Sequence, residues 1–380
     1  MLSWMNNNLS PIGLDIGAGS IKMLQLRRAA SGLSVIASGQ FALADELPVE
    51  GPERQAAIVQ GIGKLLEAGS FRGRRVAANL PSGLISYKNI RLPRMPDTEL
   101  AQAVQWEAAD RLSLGTEPAK VEYLNAGEVR HGEEVRAELI IMAVTENRLR
   151  QQIETLIEAG LEPIALEPAP VALARCLGRT SRRAADMKDV RVFTEVGRSA
   201  SSVLILRGHQ VAFFKTIDIG GMSLNRAVAE RLDLSPADAS ELRRKLGRAD
   251  GAEGESDEPL FGSTRRENVR RAVFEATRPI LNDLAKEIGL CLRYFSVTFR
   301  GARPAAMELI GGEAYDGQIV ELFSDQLQME VAVAQPLFGI DLSGEQLAIE
   351  RRGTACEWGQ ALGLALRPPA SAAQRMRGAA

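Results

Sequence analysis

A carboxylate stands at the end of an apolar segment near the start of the chain, directly before a turn that has almost no side chains. In PIGLDIGAGSIK, Asp15 is followed by Gly17, Gly19, Ser20 and Lys22. Glycines let backbone N–H groups approach an anion closely because no Cβ atom intervenes. This stretch alone is compatible with a plain β-hairpin and with a phosphate-binding turn whose carboxylate lies near a metal ion.

A second stretch with the same order of residues lies between residues 190 and 202. In TEVGRSASS, Glu195 takes the place of Asp15, and Gly197, Ser199 and Ala200 form the small-residue turn. Two such turns could hold a polyphosphate from both sides. Their carboxylates could hold Mg2+, which prefers one or two carboxylates together with phosphate oxygens. The pair of turns therefore favours a nucleotide site.

A third glycine turn, in MELIGGEAYDG, separates an apolar segment from a helical pattern. Gly311 and Gly312 remove side chains where a purine and ribose could lie, and Glu313 follows them. The N-terminus of the next helix would then face the nucleotide. The same glycines could equally form a tight strand-to-helix turn, so this motif gains weight only together with the other two.

The segments around these motifs indicate an α/β fold that is present twice. Residues 12–47 have the pattern of three strands joined by glycine-containing turns, and residues 52–71 have apolar residues at helical spacing. Residues 190–232 repeat strand, turn, strand, turn, strand and helix. Such an internal repeat predicts a duplicated unit with a ligand between the copies.

Length, composition and cysteine content limit the class of protein. A chain of 380 residues with 45% hydrophobic and 25% charged residues is typical of a soluble protein of two domains. A formal net charge of -2 and 5% aromatic residues argue against a nucleic-acid partner. Three isolated cysteines, no signal peptide and no apolar run of ~20 residues predict a cytoplasmic protein whose membrane association is indirect.

Other catalytic arrangements have little support in the sequence. His131 and His209 each lie beside a turn glycine in a polar stretch, and Cys176 has no histidine near it in sequence. Neither a GxSxG elbow nor an HExxH helix occurs. Any chemistry therefore depends on the glycine turns and their carboxylates.

The three glycine motifs resemble the phosphate-1, phosphate-2 and adenosine motifs of the actin, Hsp70 and sugar-kinase ATPase superfamily. Within it, the chain resembles the PilM family of type IV pilus assembly proteins, close relatives of the division protein FtsA. This likeness runs from about residue 11 to 366 and includes RLPRMPDTELAQAVQWEAADRL, EAGLEPIALEPAPVALAR, IDIGGMSLNRAVAERLDLSPADASELRRKLG and CEWGQALGLAL. It implies an α/β actin-like ATPase fold, with two duplicated RNase H-like domains and inserted subdomains around a nucleotide cleft.

Sequence pattern and resemblance together predict the limits of the domains. These are 11–84 and 166–188 for the first core, 85–165 for an inserted α+β subdomain, 189–232 and 306–366 for the second core, and 233–305 for a helical subdomain. An acidic stretch near 247–263 is predicted to be a mobile loop. The tail at 367–380 is predicted to be disordered.

The resemblance implies ATP and Mg2+ as ligands and assigns the residues that would hold them. Contacts to phosphates or metal would come from Asp15, Gly17, Gly19, Ser20, Lys22, Gly197, Ser199 and Ala200, with Asp15 and Glu195 as metal ligands. Gly311, Gly312 and Glu313 would lie by the adenosine. Glu167 falls where relatives often place an acidic or amide group near the γ-phosphate, so Asp15, Glu167 and Glu195 are the expected catalytic residues.

Glu195 departs from the family pattern, because the second phosphate motif usually begins with Asp. The extra methylene moves the carboxylate by roughly 1.5 Å, the length of one carbon–carbon bond. Metal binding through water tolerates this shift better than hydrolysis, which depends on close positioning. The expectation is a nucleotide-binding assembly protein that is at most a weak ATPase.

The resemblance implies a component of a type IV pilus, or related secretion, platform at the inner membrane. Its expected partners are the cytoplasmic N-terminal peptide of a PilN-like membrane protein and other platform proteins. Three alternatives stay open: an FtsA-like division protein, a small-molecule kinase, and a nucleotide-free scaffold of the same fold. The first would need a C-terminal amphipathic helix and the second a general base, and the sequence offers neither clearly.

Overall fold

The computed structural model describes residues 8–112, 117–131, 133–181, 183–184, 186–248, 263–301, 303–344, 347–349 and 354–368. Most of the predicted mobile loop and the tail from residue 369 onward lie outside these residues. None of the helices described has both the length and the apolar character needed to cross a bilayer. The chain divides into two compact units, one with the described residues of 1–85, 144–182 and 335–380, the other with those of 86–143 and 183–334.

The secondary structure alternates strands and helices. The strands are β1 (Ile12–Ile16), β2 (Ser20–Ala29), β3 (Gly32–Ala42), β4 (Arg75–Asn79), β5 (Ser86–Pro93), β6 (Ala119–His131), β7 (Glu134–Thr145), β8 (Glu162–Glu167), β9 (Val190–Val196), β10 (Ser201–Arg207), β11 (Gln210–Ile217), β12 (Ala306–Ile310) and β13 (Glu330–Val333). The helices are α1 (Pro52–Ala68), α2 (Asp97–Arg111), α3 (Glu146–Glu158), α4 (Ala169–Gly178), α5 (Gly221–Leu232), α6 (Pro236–Arg248), α7 (Ser263–Phe299), α8 (Gly317–Leu327) and α9 (Gly359–Ala365).

Each compact unit contains a five-stranded sheet of the same topology. In the first unit the strand order is β3-β2-β1-β4-β8, with β1 antiparallel to β2 and parallel to β4. In the second unit the order is β11-β10-β9-β12-β13, with β9 antiparallel to β10 and parallel to β12. The strand order and directions are thus repeated, which confirms the predicted duplication of an α/β unit.

The first unit is packed around β1, which is buried along its whole length. A central strand covered on both faces carries a continuous apolar run, as IGLDI nearly does. On one face, Ile58 and Ile62 of α1 lie four positions apart on the helix and belong to the same core. On the other face the backbone of α9 approaches so closely that a Cβ on Gly13 would overlap the Ala361 carbonyl.

The second unit contains the additional sheet β5-β7-β6, on which α2 packs through an apolar face. A buried hydrogen-bond network joins this sheet to α7. Glu138 is fully buried and accepts hydrogen bonds from Arg91 Nε (2.7 Å) and from the Tyr294 hydroxyl (2.6 Å), and Arg91 also donates to Thr298 Oγ1 (2.5 Å). Burial, together with the hydrogen bond to Glu138, raises the pKa of Tyr294 to about 12.

The compact units differ from the predicted domain limits in two places. Residues 144–165 were expected in the inserted subdomain, but Leu156 of α3 packs in the core of the first unit. Residues 335–366 were expected in the second domain, but they belong to the first unit, where α9 lies against β1 and α4. Backbone segments that are far apart in the chain, such as α9 and β1, can approach each other closely without any periodic pattern in the sequence that would predict it. The compact units group residues by their contacts within the fold, whereas the predicted limits follow family subdomains, so those limits stay a prediction.

Replacing Gly363 of α9 by alanine should destabilise the first unit. The added Cβ would overlap the carbonyl of Ala172 in α4, which is backbone and cannot rotate away, at a cost of about 1–3 kcal/mol. Gly63 of α1 is the matched control, because an alanine there has no atom within 4 Å and improves helix propensity.

Thermal unfolding followed by circular dichroism checks this expectation. We expect the melting temperature of Gly363→Ala to fall by several degrees and that of Gly63→Ala to stay or rise. An unchanged melting temperature for Gly363→Ala would contradict the packing of α9 on α4.

Candidate functional site

Asp15 lies at the penultimate position of β1, and its side chain is buried. The Asn79 amide of β4 donates to Asp15 Oδ1 (3.0 Å), and Asn79 Oδ1 accepts the Ile16 N–H (2.7 Å). Burial raises the pKa of Asp15, and the charge of Lys22 opposes that rise. A carboxylate whose ionised form is destabilised by burial gains from a nearby cation, so this environment fits a divalent metal.

The residues of the first motif lie together where β1 turns into β2. Lys22 pairs with Asp15 across the two strands, and Lys22 Nζ donates to Ser20 Oγ (3.0 Å). The Gly17 N–H donates to the Ser20 carbonyl (2.9 Å), and a Cβ on Gly17 would come within 3.1 Å of that oxygen. The Gly19 carbonyl accepts a backbone N–H from the segment after β3. The structure thus groups five predicted site residues.

The second motif has the same hairpin construction with a different residue opposite the acid. Glu195 is penultimate on β9, and the Gly197 N–H donates to the Ala200 carbonyl (3.1 Å). Across the strands, Ser202 takes the place of the lysine and donates to Glu195 Oε2 at 3.4 Å. The first acid therefore faces an ammonium group and the second a hydroxyl.

The N-terminus of α5 lies against the second turn. The N–H groups of Gly221 and Met222 donate to the carbonyls of Gly197 (2.9 Å) and Arg198 (2.8 Å). A Cβ on Gly220 would lie 2.7 Å from atoms of this turn. The N-terminus of α5 therefore occupies the carbonyl groups of Gly197 and Arg198, and it also lies close to the backbone nitrogen of Ala200.

The third motif contains one glycine that the fold requires and one that it does not. Gly311 has a φ of 96°, and a Cβ there would lie 2.5 Å from the Val196 carbonyl. Gly312 is exposed and has no atom within 4 Å of an added Cβ. A ligand lying on Gly312 would explain a glycine at this position, whereas the backbone alone explains Gly311.

Glu313 connects the third motif to α5 and α6. Its Oε2 pairs with Arg243 Nη2 (2.5 Å), and its carboxylate lies so close to Gly221 that a Cβ there would overlap it. Arg243 is buried and also donates to Asn225 Oδ1 (2.6 Å). The structure therefore brings the second and third motifs together in the second unit. The helix α8 begins only at Gly317, with Asp316 as its N-cap, so the glycine pair does not open the helix directly.

Glu167 ends β8 in the first unit and is paired with two arginines. Its oxygens accept hydrogen bonds from Arg175 Nη1 (2.8 Å) and Nη2 (3.1 Å), and from Arg367. Arg175 also donates to the Gly363 carbonyl (2.6 Å). In the sheet, β4 separates Glu167 from Asp15. These contacts give Glu167 a structural part in holding α4 and α9, while its catalytic role stays a prediction.

Several residues of these sites were not identified from sequence. The glycine pair Gly220–Gly221 before a helix and the amide of Asn79 at a strand end are local signals that could have been used. Arg54, which donates to carbonyls of the first turn, and Arg243 look in sequence like solvated charges on helices. Their contacts become visible only in the folded chain.

Other reactive groups in the described part of the chain stay apart from these sites. His209 is exposed in the β10–β11 turn, and all three cysteines are buried and form no disulfide. Burial raises the pKa of Cys291 to about 11. Among the described residues, no group of three or more His, Cys, Asp and Glu side chains could hold a metal ion. A metal at Asp15 would need oxygen ligands from a phosphate and from water.

Comparison with known proteins gives a family and a fold. The sequence profile of the family described as type IV pilus assembly protein PilM matches residues 13–368. The solved PilM-PilN type IV pilus biogenesis complex is similar to this chain with a TM-score of 0.76 and 23% identity, over 95% of this chain and 100% of that chain. No curated protein sequence matches the chain.

A second solved structure shares the fold at lower similarity. It is the ethanolamine utilization protein EutJ from Carboxydothermus hydrogenoformans, with a TM-score of 0.54 and 15% identity over 94% of this chain and 89% of that chain. Together with the repeated sheets, these similarities confirm the predicted actin-like α/β fold.

Replacing Asp15 by asparagine should stabilise the ligand-free protein at high pH. Because burial raises the folded-state pKa of Asp15, its contribution to stability is fully present below the unfolded-state pKa and is lost as the pH rises through the folded-state value. Asparagine does not titrate, and its oxygen can still accept the Asn79 hydrogen bond. The melting temperature of Asp15→Asn should therefore exceed that of the natural protein at about pH 8, with a difference that narrows toward about pH 4.

The matched control is Asp325→Asn at an exposed position of α8, which should not change the melting temperature at either pH. A difference for Asp15→Asn that stayed constant with pH would contradict burial as its cause.

Proposed function

This chain belongs to the type IV pilus assembly protein PilM family, and on that premise we propose that it is an ATP-binding component of the platform that assembles a type IV pilus or related secretion machine. The family match over residues 13–368 carries this proposal. The protein would act in the cytoplasm, peripheral to the inner membrane and held there by a partner. The nucleotide could control binding of that partner if the partner binds the nucleotide-bound and nucleotide-free forms with different affinities.

The residues of both hairpins fit a nucleotide with Mg2+. In the first unit, Asp15 would hold the metal and the turn from Gly17 to Ser20 would bind phosphate through backbone N–H groups, with Lys22 nearby as a cation. In the second unit, Gly197, Ser199 and Ala200 would face phosphate, Glu195 would hold metal-bound water, and Gly311, Gly312 and Glu313 would lie by the adenosine. When bound, Mg2+ supplies positive charge that neutralises the phosphates.

Hydrolysis should be slow at best. Glu195 carries a longer side chain than the usual aspartate and faces the Ser202 hydroxyl. Glu167, the other candidate for positioning water, holds Arg175 and Arg367 instead. These two observations also favour a second candidate function, a nucleotide-free scaffold of the same fold. The FtsA-like and kinase alternatives gain no such support among the described residues.

Gly312→Val should weaken nucleotide binding without destabilising the protein. The side chain has free space in the ligand-free protein, but it would occupy the position proposed for the purine. We expect the affinity for ATP to fall about tenfold or more, because the ligand loses its packing there. Gly301→Val is the matched control, since Gly301 is also exposed with no atom within 4 Å of an added Cβ.

Calorimetric titration with ATP, with and without Mg2+, measures both variants. Equal affinities for Gly312→Val and the natural protein would contradict the proposed adenosine position. No heat and no thermal shift for the natural protein at millimolar ATP would favour the nucleotide-free scaffold.

A PilN-like membrane protein is the proposed partner, because the similar solved complex is named for PilM and PilN. Its cytoplasmic N-terminal peptide would dock beside the β5-β7-β6 sheet. On α2 of this region, Leu100 and Val104 face the core, whereas Trp106 is 74% exposed. Tryptophan is one of the residue types enriched among interface residues that contribute strongly to binding, so an exposed tryptophan favours this surface as the docking site.

The peptide docking is tested by a pull-down with the N-terminal peptides of membrane proteins encoded beside this chain. Trp106→Ala should weaken binding of the captured peptide by about tenfold or more. Val297→Ala on α7, at a position 72% exposed, is the matched control and should bind normally. Normal binding by Trp106→Ala would move the docking site elsewhere, and capture of no peptide would count against the partner.

A further inference from the structure

The carbonyl groups of the two glycine turns accept hydrogen bonds from different kinds of donor. In the second turn, the first N–H groups of α5 donate to the carbonyls of Gly197 and Arg198. The helix can do this because only residues 218–220 separate β11 from α5. The equivalent helix of the first copy is α1, which also follows the third strand of its sheet.

The helix α1 begins farther along the chain from its strand, because residues 43–51 lie between β3 and α1. The side chain of Arg54, in the first turn of α1, reaches the glycine turn instead. Its Nη2 donates to the Gly17 carbonyl (2.8 Å) and its Nη1 to the Ala18 carbonyl (3.4 Å). Arg54 is 7% exposed, so this contact is part of the interior.

The other two carbonyl groups of the first turn are also occupied. The Leu43 N–H donates to the Gly19 carbonyl, and the Gly17 N–H donates to the Ser20 carbonyl, each at 2.9 Å. All four carbonyl oxygens of residues 17–20 therefore accept hydrogen bonds from the protein. A carbonyl dipole directed at an anion would repel it, whereas N–H groups attract it.

We propose that Arg54 is a positioning residue for the phosphate-binding turn, which rests on the nucleotide function proposed above. Its guanidinium keeps the carbonyl groups of Gly17 and Ala18 turned away from the side on which phosphate binds. A planar guanidinium can donate two N–H groups to two successive carbonyls, whereas the lysine ammonium is a point donor on a flexible stem. Arg54 acts through the backbone and does not itself touch the nucleotide.

Arg54→Lys and Arg54→Leu test this role by calorimetric titration with ATP, ADP and adenosine. We expect the affinities for ATP and ADP to fall about tenfold in Arg54→Lys and further in Arg54→Leu, because carbonyl groups are released from their donor. The affinity for adenosine should not change, since the turn meets only phosphates. Arg191→Lys is the matched control, a partly buried arginine that pairs with Glu308 in the second unit, and it should keep all three affinities.

The outcomes separate this proposal from the nucleotide function. If the natural protein binds ATP and both variants keep its affinity, the positioning role is wrong and the nucleotide function stands. Equal losses for ATP and adenosine would show that Arg54 supports only the fold. If the natural protein does not bind ATP, the nucleotide function fails and the positioning role fails with it. Thermal unfolding confirms that each variant is folded, and if Arg54→Leu is not, Arg54→Lys decides the question.

Discussion

A backbone turn attracts an anion when its N–H groups point toward the ligand and its carbonyl groups point away from it. In the first glycine turn all four carbonyl groups accept hydrogen bonds, and in the second turn those of Gly197, Arg198 and Ala200 do. In the second copy the helix α5 begins directly against the turn, which requires the glycine pair Gly220–Gly221. In the first copy the helix begins farther along the chain, and Arg54 covers the remaining distance with a side chain. The same physical demand is thus met by helix backbone in one half and by a side chain in the other.

The acids beside the two turns differ in burial and in the residue opposite. Asp15 is buried beside Asn79 and Lys22, and burial raises the pKa of its carboxyl group. Buried groups whose pKa is shifted by desolvation and by a nearby charge are common at functional sites. Glu195 is less buried, and across the strands it accepts a hydrogen bond from the Ser202 hydroxyl.

The sheet β5-β7-β6 gives the second unit a surface of its own. The buried network around Glu138 fixes this sheet to α7, because breaking it would leave a fully buried carboxylate without partners. The exposed Trp106 therefore stands on a supported helix. A binding surface on a helix that is already held in place lowers the entropy cost of binding a flexible peptide.

The sequence by itself determined the duplicated α/β unit, the three glycine motifs, the two strand-end acids and the family. These features are local, because a turn or a strand pattern depends on residues near each other in the chain. Only the tertiary structure decided which glycine the backbone requires. A Cβ on Gly311 would overlap the backbone of β9, whereas a Cβ on Gly312 would have no atom within 4 Å. It also decided that Glu167 holds Arg367 and that α9 packs in the first unit. Contacts between residues that are far apart in the chain leave no periodic pattern in sequence, so they become visible only after the chain has folded.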